Sequence, residues 1–310
     1  MRAQDLLARR FDAQRGRLRA VAYRLLGTAD DTEDAVQEAW LRLSRTDIAE
    51  VENLEGWLTT VVSRICLDIL RGRTAHPEDP TADLAALGAT ADQDPEHEVL
   101  LIDSVGRALL VVLDRLGPEE RVAFVLHDMF ALPFDRIAPI LNRSAATTKK
   151  LASRARHRVH GESRPAAVDL AEQQRVVAAF LAAARGGDLG ELLAVLAPDV
   201  VRTADPAALP AGMAVTVRGA ARVAEETVVL RRRSGFAALA LVDGAVGIVV
   251  APHGRLLLAL RVTVRDNRIA AYEVIADPKR LRDTDIAVLD RPGDGFQPAG
   301  TDSDTPVLLP

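Results

Sequence analysis

The chain has 310 residues and a hydrophobic fraction of 48%, which suits two or three globular domains and excludes a disordered chain. Its net charge of −5 excludes a protein that coats nucleic acid generally, while leaving room for a regional basic footprint. Cys66 is the only cysteine, so neither an intrachain disulfide nor a cysteine-based metal cluster can form, and no cofactor or metal is expected.

The opening residues, MRAQDLLARRFDAQRGRLRA, lack the apolar core of a signal peptide. No apolar run reaches the roughly 18 to 20 residues that span a bilayer. In FAALALVDGAVGIVVAPHGRLLLALRV, Asp243, Gly244, Pro252 and Gly254 cut the longest candidate into strand-sized pieces. The expected compartment is the cytoplasm.

In chain order, residues 1–74 read as a helical unit, because LRAVAYRLLG, AVQEAWLRL and GWLTTVVSRICLDILR repeat apolar residues at helical spacing. Thr28 and Asp31 have capping-box spacing. The second of these helices packs Ala35, Ala39, Trp40 and Leu43 inward and leaves Asp34, Gln37, Glu38, Leu41 and Arg42 outside. Asn53 is an expected N-cap for the third. Its face of Leu54, Trp57, Leu58, Val61, Val62, Ile65 and Ile69 is apolar, and Thr59, Thr60, Ser63, Arg64 and Arg71 form an opposite polar strip. Prolines and acids mark residues 75–98 as a linker.

Helical periodicity returns over 99–162. Within it, FALPFDRIAPILNRSAATTKKLASRAR reads as a helix from the Pro133 region to about Leu141, a turn, and a second helix. Pro133 suits a first turn, Asn142 suits a left-handed stop, and Ser144 suits an N-cap. This is helix-turn-helix geometry. Ser144, Thr148, Leu151, Ala155 and Val159 are expected to face the core. Lys149, Lys150, Ser153, Arg156 and His157 face away, with Arg154 and Arg158 flanking. No acid occurs from Arg143 to His160, so the outer face can neutralise phosphates. Pro139 falls inside the first helix and removes one hydrogen bond, so a kink or a later helix start is expected.

Residues 169–281 change style. EQQRVVAAFLAAARGGDLGELLAVLAPDVV reads as a helical hairpin, followed by Val-rich strands turned at RDNR and PHGR and one more helix around AARVAEETVVLRRR. The expectation is an α+β domain with helices on one face of an antiparallel sheet. Residues 282–310, acidic and rich in Pro and Gly, are expected to be a disordered tail.

Three stretches in order, DTEDAVQEAWLRL, WLTTVVSRICLDILR and LGPEERVAFVLHDMFALPFDRIAPILNRSAATTKKLASRAR, together resemble a bacterial RNA polymerase sigma factor of the extracytoplasmic-function type. The resemblance covers about residues 10 to 160. It implies two all-α sigma domains, region 2 and the helix-turn-helix region 4, whose partners are core RNA polymerase and promoter DNA. Asp34, Gln37, Glu38, Leu41 and Arg42 would meet the polymerase. Thr59, Thr60, Ser63, Arg64 and Arg71 would lie near −10 DNA, with the loop TDIAEVENLE holding a flipped-out base. Lys149, Lys150, Ser153, Arg154, Arg156 and His157 would meet −35 DNA. Pro139 and Asn142 depart from the family's helix-turn-helix, where a helix former and Gly are usual.

The segment after residue 169 is similar to the α+β SnoaL-like, cystatin-like cone domain fused to a subgroup often called SigJ-like. There it modulates activity in cis. The subgroup's Gly-rich loop is replaced here by TADPAALPAG, and its closing NPDK reads ADPK. Two other readings stay open: a DNA-binding regulator that senses a small ligand in the C-terminal domain, or a cyclase or isomerase using His253, Asp205 or Glu273 for proton transfer. The resemblance itself implies a protein that is not an enzyme.

Overall fold

Ala3–Leu26 (α1), Ala29–Ser44 (α2) and Leu54–Ala75 (α3) form the first helical unit. The computed structural model of the protein describes residues 3–46, 51–75, 106–161, 167–210 and 212–289. Most of the expected linker, the start of the second unit before residue 106, positions 47–50 of TDIAEVENLE and the tail from 290 lie outside them. Asn53 caps α3 as expected, its side chain accepting the Gly56 N–H at 3.0 Å. The expected capping box at α2 is not made. Thr28 is the N-cap residue, but its hydroxyl donates to the Asp31 carboxylate, which also pairs with Arg73, so no backbone N–H is captured.

The second unit comprises Arg107–Asp114 (α4), Pro118–Phe124 (α5), which a π-helical turn Val125–Met129 continues, Phe134–Leu141 (α6) and Ala145–His160 (α7). The third opens with Ala167–Gly186 (α8) and Leu189–Val195 (α9), turned where Asp188 caps α9 by accepting the Glu191 N–H. The expected helical hairpin ends earlier than VLAPDVV, because Leu196–Ala204 is already a strand, β1. Then follow Thr216–Arg218 (β2), Ala220–Val229 (α10), Arg231–Ser234 (α11), Ala237–Val242 (β3), Ala245–Val250 (β4), Leu258–Arg265 (β5), Arg268–Ile275 (β6), Pro278–Asp283 (α12) and Ile286–Ala287 (β7).

The seven strands make one sheet in the order β2-β1-β6-β5-β4-β3-β7. The RDNR turn is a tight hairpin with Asp266 and Asn267 both at positive φ, and VDGA does the same through Asp243 and Gly244. PHGR is instead a 3-10 turn, Pro252–Gly254, in a longer connection. The sheet is mixed rather than antiparallel, since β1 pairs with β6 in parallel. The intervening strands and helices supply the long crossover that a parallel pair requires.

The domain's helices α8 and α10 pack on one face of the sheet as expected, and the opposite face is covered as well, by helices of the second unit. Along β3, Ala237, Leu239 and Leu241 turn to the core shared with α8 and α10. Ala238, Ala240 and Val242 turn to the core of the first two units. The same alternation holds along β4 and the residue after it, where Ile248 and Val250 face one core and Val249 and Ala251 the other. Both faces are dry because α4 and α7 cover the outer one at β3 and β7. The small outer-face side chains permit that approach. At Gly254, with φ +74°, an added Cβ would stand 3.0 Å from Leu110 of α4.

The tail does not begin at 282. Ile286 and Ala287 pair with β3 and are buried, and the Val288 N–H donates to the Val159 carbonyl of α7 at 2.9 Å. Two apolar residues inside an acidic stretch suffice to add an edge strand under α7.

Candidate nucleic-acid interface

The turn between α6 and α7 is formed as its residues dictate. Asn142 stands at φ 55°, ψ 49°, and the Arg143 N–H donates to the Ala138 carbonyl at 3.0 Å. The Ser144 hydroxyl accepts the Thr147 N–H at 3.2 Å. Pro133 is the N-cap of α6 rather than its first residue, and α6 continues through Pro139. The carbonyl that Pro139 leaves without a donor is that of Asp135, and both residues are exposed, so water can satisfy it.

On α7, Thr148, Ala152, Ala155 and Val159 are buried, Leu151 is half-buried, and Ser144 is exposed as a cap instead of joining the core. Lys149, Lys150, Ser153, Arg154 and His157 are exposed on the opposite side. Arg156 departs from the outward reading. It is half-buried and paired with Asp128, whose side chain is 1% exposed. Arg158 pairs with Glu120 at 2.8 Å. The cations of α7 thus divide in two: Arg156 and Arg158 are held by acids of their own domain, whereas Lys149, Lys150 and Arg154 have no ion-pair partner among the described residues.

On α2, Asp34, Gln37, Leu41 and Arg42 are exposed and Glu38 is half-buried, pairing with Arg42 at 3.0 Å. Behind them Ala35, Val36, Ala39 and Leu43 fill the core, and Trp40 packs on Phe11 with ring centroids 5.1 Å apart. An exposed leucine among carboxylates is a surface suited to a partner with basic and apolar groups.

The polar strip on α3 is only partly a surface. Thr59 is 4% and Ser63 0% exposed, which corrects the expectation for both. The Thr59 hydroxyl donates to the Glu55 carbonyl at 2.8 Å, and the Ser63 hydroxyl has no hydrogen-bond partner among the described residues. Thr60 is half-buried and likewise bonded back to Gly56. The cause is a second cover. The side of α3 bearing Arg64 and Arg71 meets α5 and α6 of the next unit. The Arg64 guanidinium donates to the Pro139 carbonyl at 3.0 Å, and Arg71 donates to Glu119 at 2.9 Å. Glu119 also takes two hydrogen bonds from Arg143. Burial pushes the Glu119 carboxyl up, but those two guanidiniums outweigh it and hold the group below the usual carboxylate range.

Two of the three catalytic candidates of the third unit, Asp205 and Glu273, are engaged in structural contacts. Asp205 accepts the N–H groups of Ala276 and Asp277 and pairs with Arg280. Burial raises its carboxyl, and these donors more than reverse the effect. Glu273 pairs with Arg261 and Arg280. His253 lies in the turn Pro252–Gly254. The ADPK stretch is a helix start, with Asp277 capping α12 and Pro278 at its first position. Among the described residues, no group of three His, Cys, Asp or Glu could hold a metal ion, and no helix is long and apolar enough to cross a membrane.

Two family descriptions match this chain: sigma-70 region 2 over residues 11–76 and sigma-70 region 4 over 106–159. The chain is 40% identical to the ECF RNA polymerase sigma factor SigJ of Mycobacterium tuberculosis, over 87% of this chain and 92% of that protein. It is 35% identical to the probable ECF RNA polymerase sigma factor SigI of the same species, over 91% of this chain and 97% of that one. A crystal structure of the M. tuberculosis SigJ aligns over 88% of this chain and 98% of its own length, with 35% identity and a TM-score of 0.42. With two sigma domains in order and a relative matched almost end to end, the chain belongs to the extracytoplasmic-function (ECF) family of RNA polymerase sigma factors.

Proposed function

We propose that this sigma factor joins core RNA polymerase, directs initiation at promoters with −10 and −35 elements, and rests in a closed form that its C-terminal domain holds together. The observation that carries the closed form is the contact of α3 with α5 and α6, centred on Arg64 and Pro139. By their names, the two elements lie about 25 base pairs apart, or roughly 85 Å at the ~3.4 Å rise of a duplex. Packed helices lie only about 8–10 Å apart, so α3 and α7, separated by one helix layer, cannot reach both elements together. Productive binding therefore requires the two sigma domains to part.

In this reading Asp34, Gln37, Glu38, Leu41 and Arg42 meet the polymerase. Lys149, Lys150, Ser153, Arg154 and His157 meet −35 DNA at once, while Arg156 first has to leave Asp128. Thr60, Arg64 and Arg71 reach −10 DNA only after opening, and Thr59 and Ser63 support α3 from within. The proposed units are 1–74, 99–162 and 169–289. No chemistry is assigned to the third, because Asp205 and Glu273 are engaged in ion pairs that tie α12 to the sheet.

Run-off transcription with core polymerase from the protein's own upstream region tests the proposal. Initiation is expected only with this chain present, and truncation after Gly161 is expected to change its level. No initiation above core alone would refute the sigma role, and identical levels with and without the C-terminal domain would refute its modulating role.

A further inference from the structure

The third unit holds a cavity of about 100 Å³, open on one side, between the sheet and the helices α8, α10 and α11. Phe180, Leu181, Ile248, Val250 and Leu258 supply apolar wall, and one end is polar, with Arg202, Glu226, Thr227 and Tyr272. This space is smaller than the roughly 150 Å³ apolar cavity that takes benzene, but it is open on one side, so a small ring or short chain can enter with part of it left in solvent.

The hydrogen bonds of the polar end decide which head group fits. Arg202 is buried; it donates to the Ala214 carbonyl at 2.8 Å and is ion-paired with Glu226 through Oε2. Its charge is therefore already answered. The Thr227 hydroxyl spends its only hydrogen on the Val223 carbonyl at 2.8 Å. In the 3.3 Å contact between Thr227 and Tyr272, the tyrosine must then be the donor. Burial raises the Tyr272 phenol, so it stays a neutral hydroxyl. Two acceptors are left over: the Tyr272 oxygen and Glu226 Oε1, which has no hydrogen-bond partner among the described residues. A site that offers acceptors and an apolar wall selects a donor. At this end the Glu226 carboxylate opposes an anionic head; Arg231 and Arg233 also line the cavity, Arg233 donating to the Ala208 carbonyl, so the choice of a neutral donor rests on the two spare acceptors.

We propose that this cavity is a binding site for a neutral, largely apolar molecule carrying one hydroxyl donor, such as a phenol or a short alcohol. The ion pair of Arg202 and Glu226 holds β1 to α10 and at the same time orients the spare carboxylate oxygen.

The full chain, titrated with phenol and with toluene of matching shape and followed by NMR chemical-shift changes, tests this. Phenol is expected to saturate. Tyr272→Phe is expected to weaken phenol about three- to tenfold, the scale of one lost hydrogen bond, and to leave toluene within about twofold. Equal losses for both probes, no effect of Tyr272→Phe, tighter binding of benzoate than phenol, or no saturable phenol binding would each overturn the proposal. Should Tyr272→Phe not fold, Ala184→Leu, which narrows the cavity, is expected to abolish binding of both probes. Retained binding in folded Ala184→Leu would place the ligand elsewhere and overturn the proposal.

Discussion

The guanidinium of Arg64 donates to the carbonyl oxygen of Pro139 at 3.0 Å and so joins the helix proposed to read one promoter element to the helix pair proposed to read the other. Pro139 lies in the last turn of α6, where carbonyls have no partner within the helix. A cation there also meets the negative end of the helix dipole. Arg115 of the second unit repeats the device on the third: it donates to the carbonyls of Leu281, Arg282 and Thr284 at the end of α12. Each seam is thus closed by an arginine on the orphan carbonyls of a neighbour's helix end.

Glu119 is the second clasp between the sigma domains, bridging Arg71 and Arg143. Its removal tests closure without touching a residue assigned to DNA. The arginines are about half exposed, so each pair is worth about 0.2–1 kcal/mol. Only the Arg71 pair crosses the seam, since Arg143 belongs to the same unit as Glu119, so the closed form loses at most about 1 kcal/mol, up to about a fivefold shift in an opening equilibrium. Glu119→Ala is expected to raise the radius of gyration in small-angle scattering and to increase initiation at limiting polymerase. An unchanged radius would show that the bridge does not contribute to closure.

The same carboxylate makes closure sensitive to acid. Its pKa is depressed in the folded protein, so its contribution is complete above the unfolded-state value of about 4.3 and is lost as the pH falls through the lower folded value. Between pH 6 and 8 the clasp should not respond to pH at all. Below about pH 4 the wild type is expected to open before its far-UV circular dichroism changes. Glu119→Ala should lack that early step, and its persistence in the variant would assign the acid response to another group.

Cys66 offers an internal reporter. Burial pushes its thiol up to about 12, with the nearby charge of Arg121 acting in the opposite sense. At pH 8 the thiol is expected to resist alkylation until α3 separates from α5. Glu119→Ala should accelerate labelling by the same factor as opening, up to about fivefold. Equal rates in both proteins would mean that Cys66 reports only on unfolding of the first unit.

The helices, the helix-turn-helix and its caps were legible because each depends on local chemistry: Asn142 for the left-handed stop, Ser144 for the cap, and the apolar period for α2 and α7. Thr59 and Ser63 were not, because a polar strip reads as a surface until a second domain covers it. Arg156 was misread for the same reason, since Asp128 is 28 residues away and becomes its partner only in the fold. One signal of the hidden seam was present. AALALV and AVGIVV are nearly continuous apolar runs where a sheet with one wet face would alternate, and their second face is the one that α4 and α7 cover. The apolar pair Ile286 and Ala287 carried the same information within a stretch whose acids and prolines spoke for a tail.

Arg115 tests whether the third unit holds the second in place. Burial lowers its pKa, with Asp285, Asp114 and Asp243 opposing the shift, and the ordinary arginine value is high enough that the group stays charged in any accessible range. Arg115→Ala removes three charge-assisted bonds and uncovers three helix-end carbonyls, at a cost of about 2–4 kcal/mol after partial replacement by water. Lysine should rescue poorly, because a point charge cannot serve three carbonyls that a planar fork spans. The expected result is a separate, earlier thermal transition for release of the C-terminal domain, together with initiation shifted towards the level of the Gly161 truncation. If Arg115→Ala unfolds in one transition and transcribes as wild type, the hold on the second unit comes instead from β7 and the residue after it, where Val288 bonds Val159 of α7, and truncation before Asp285 becomes the variant that must release it.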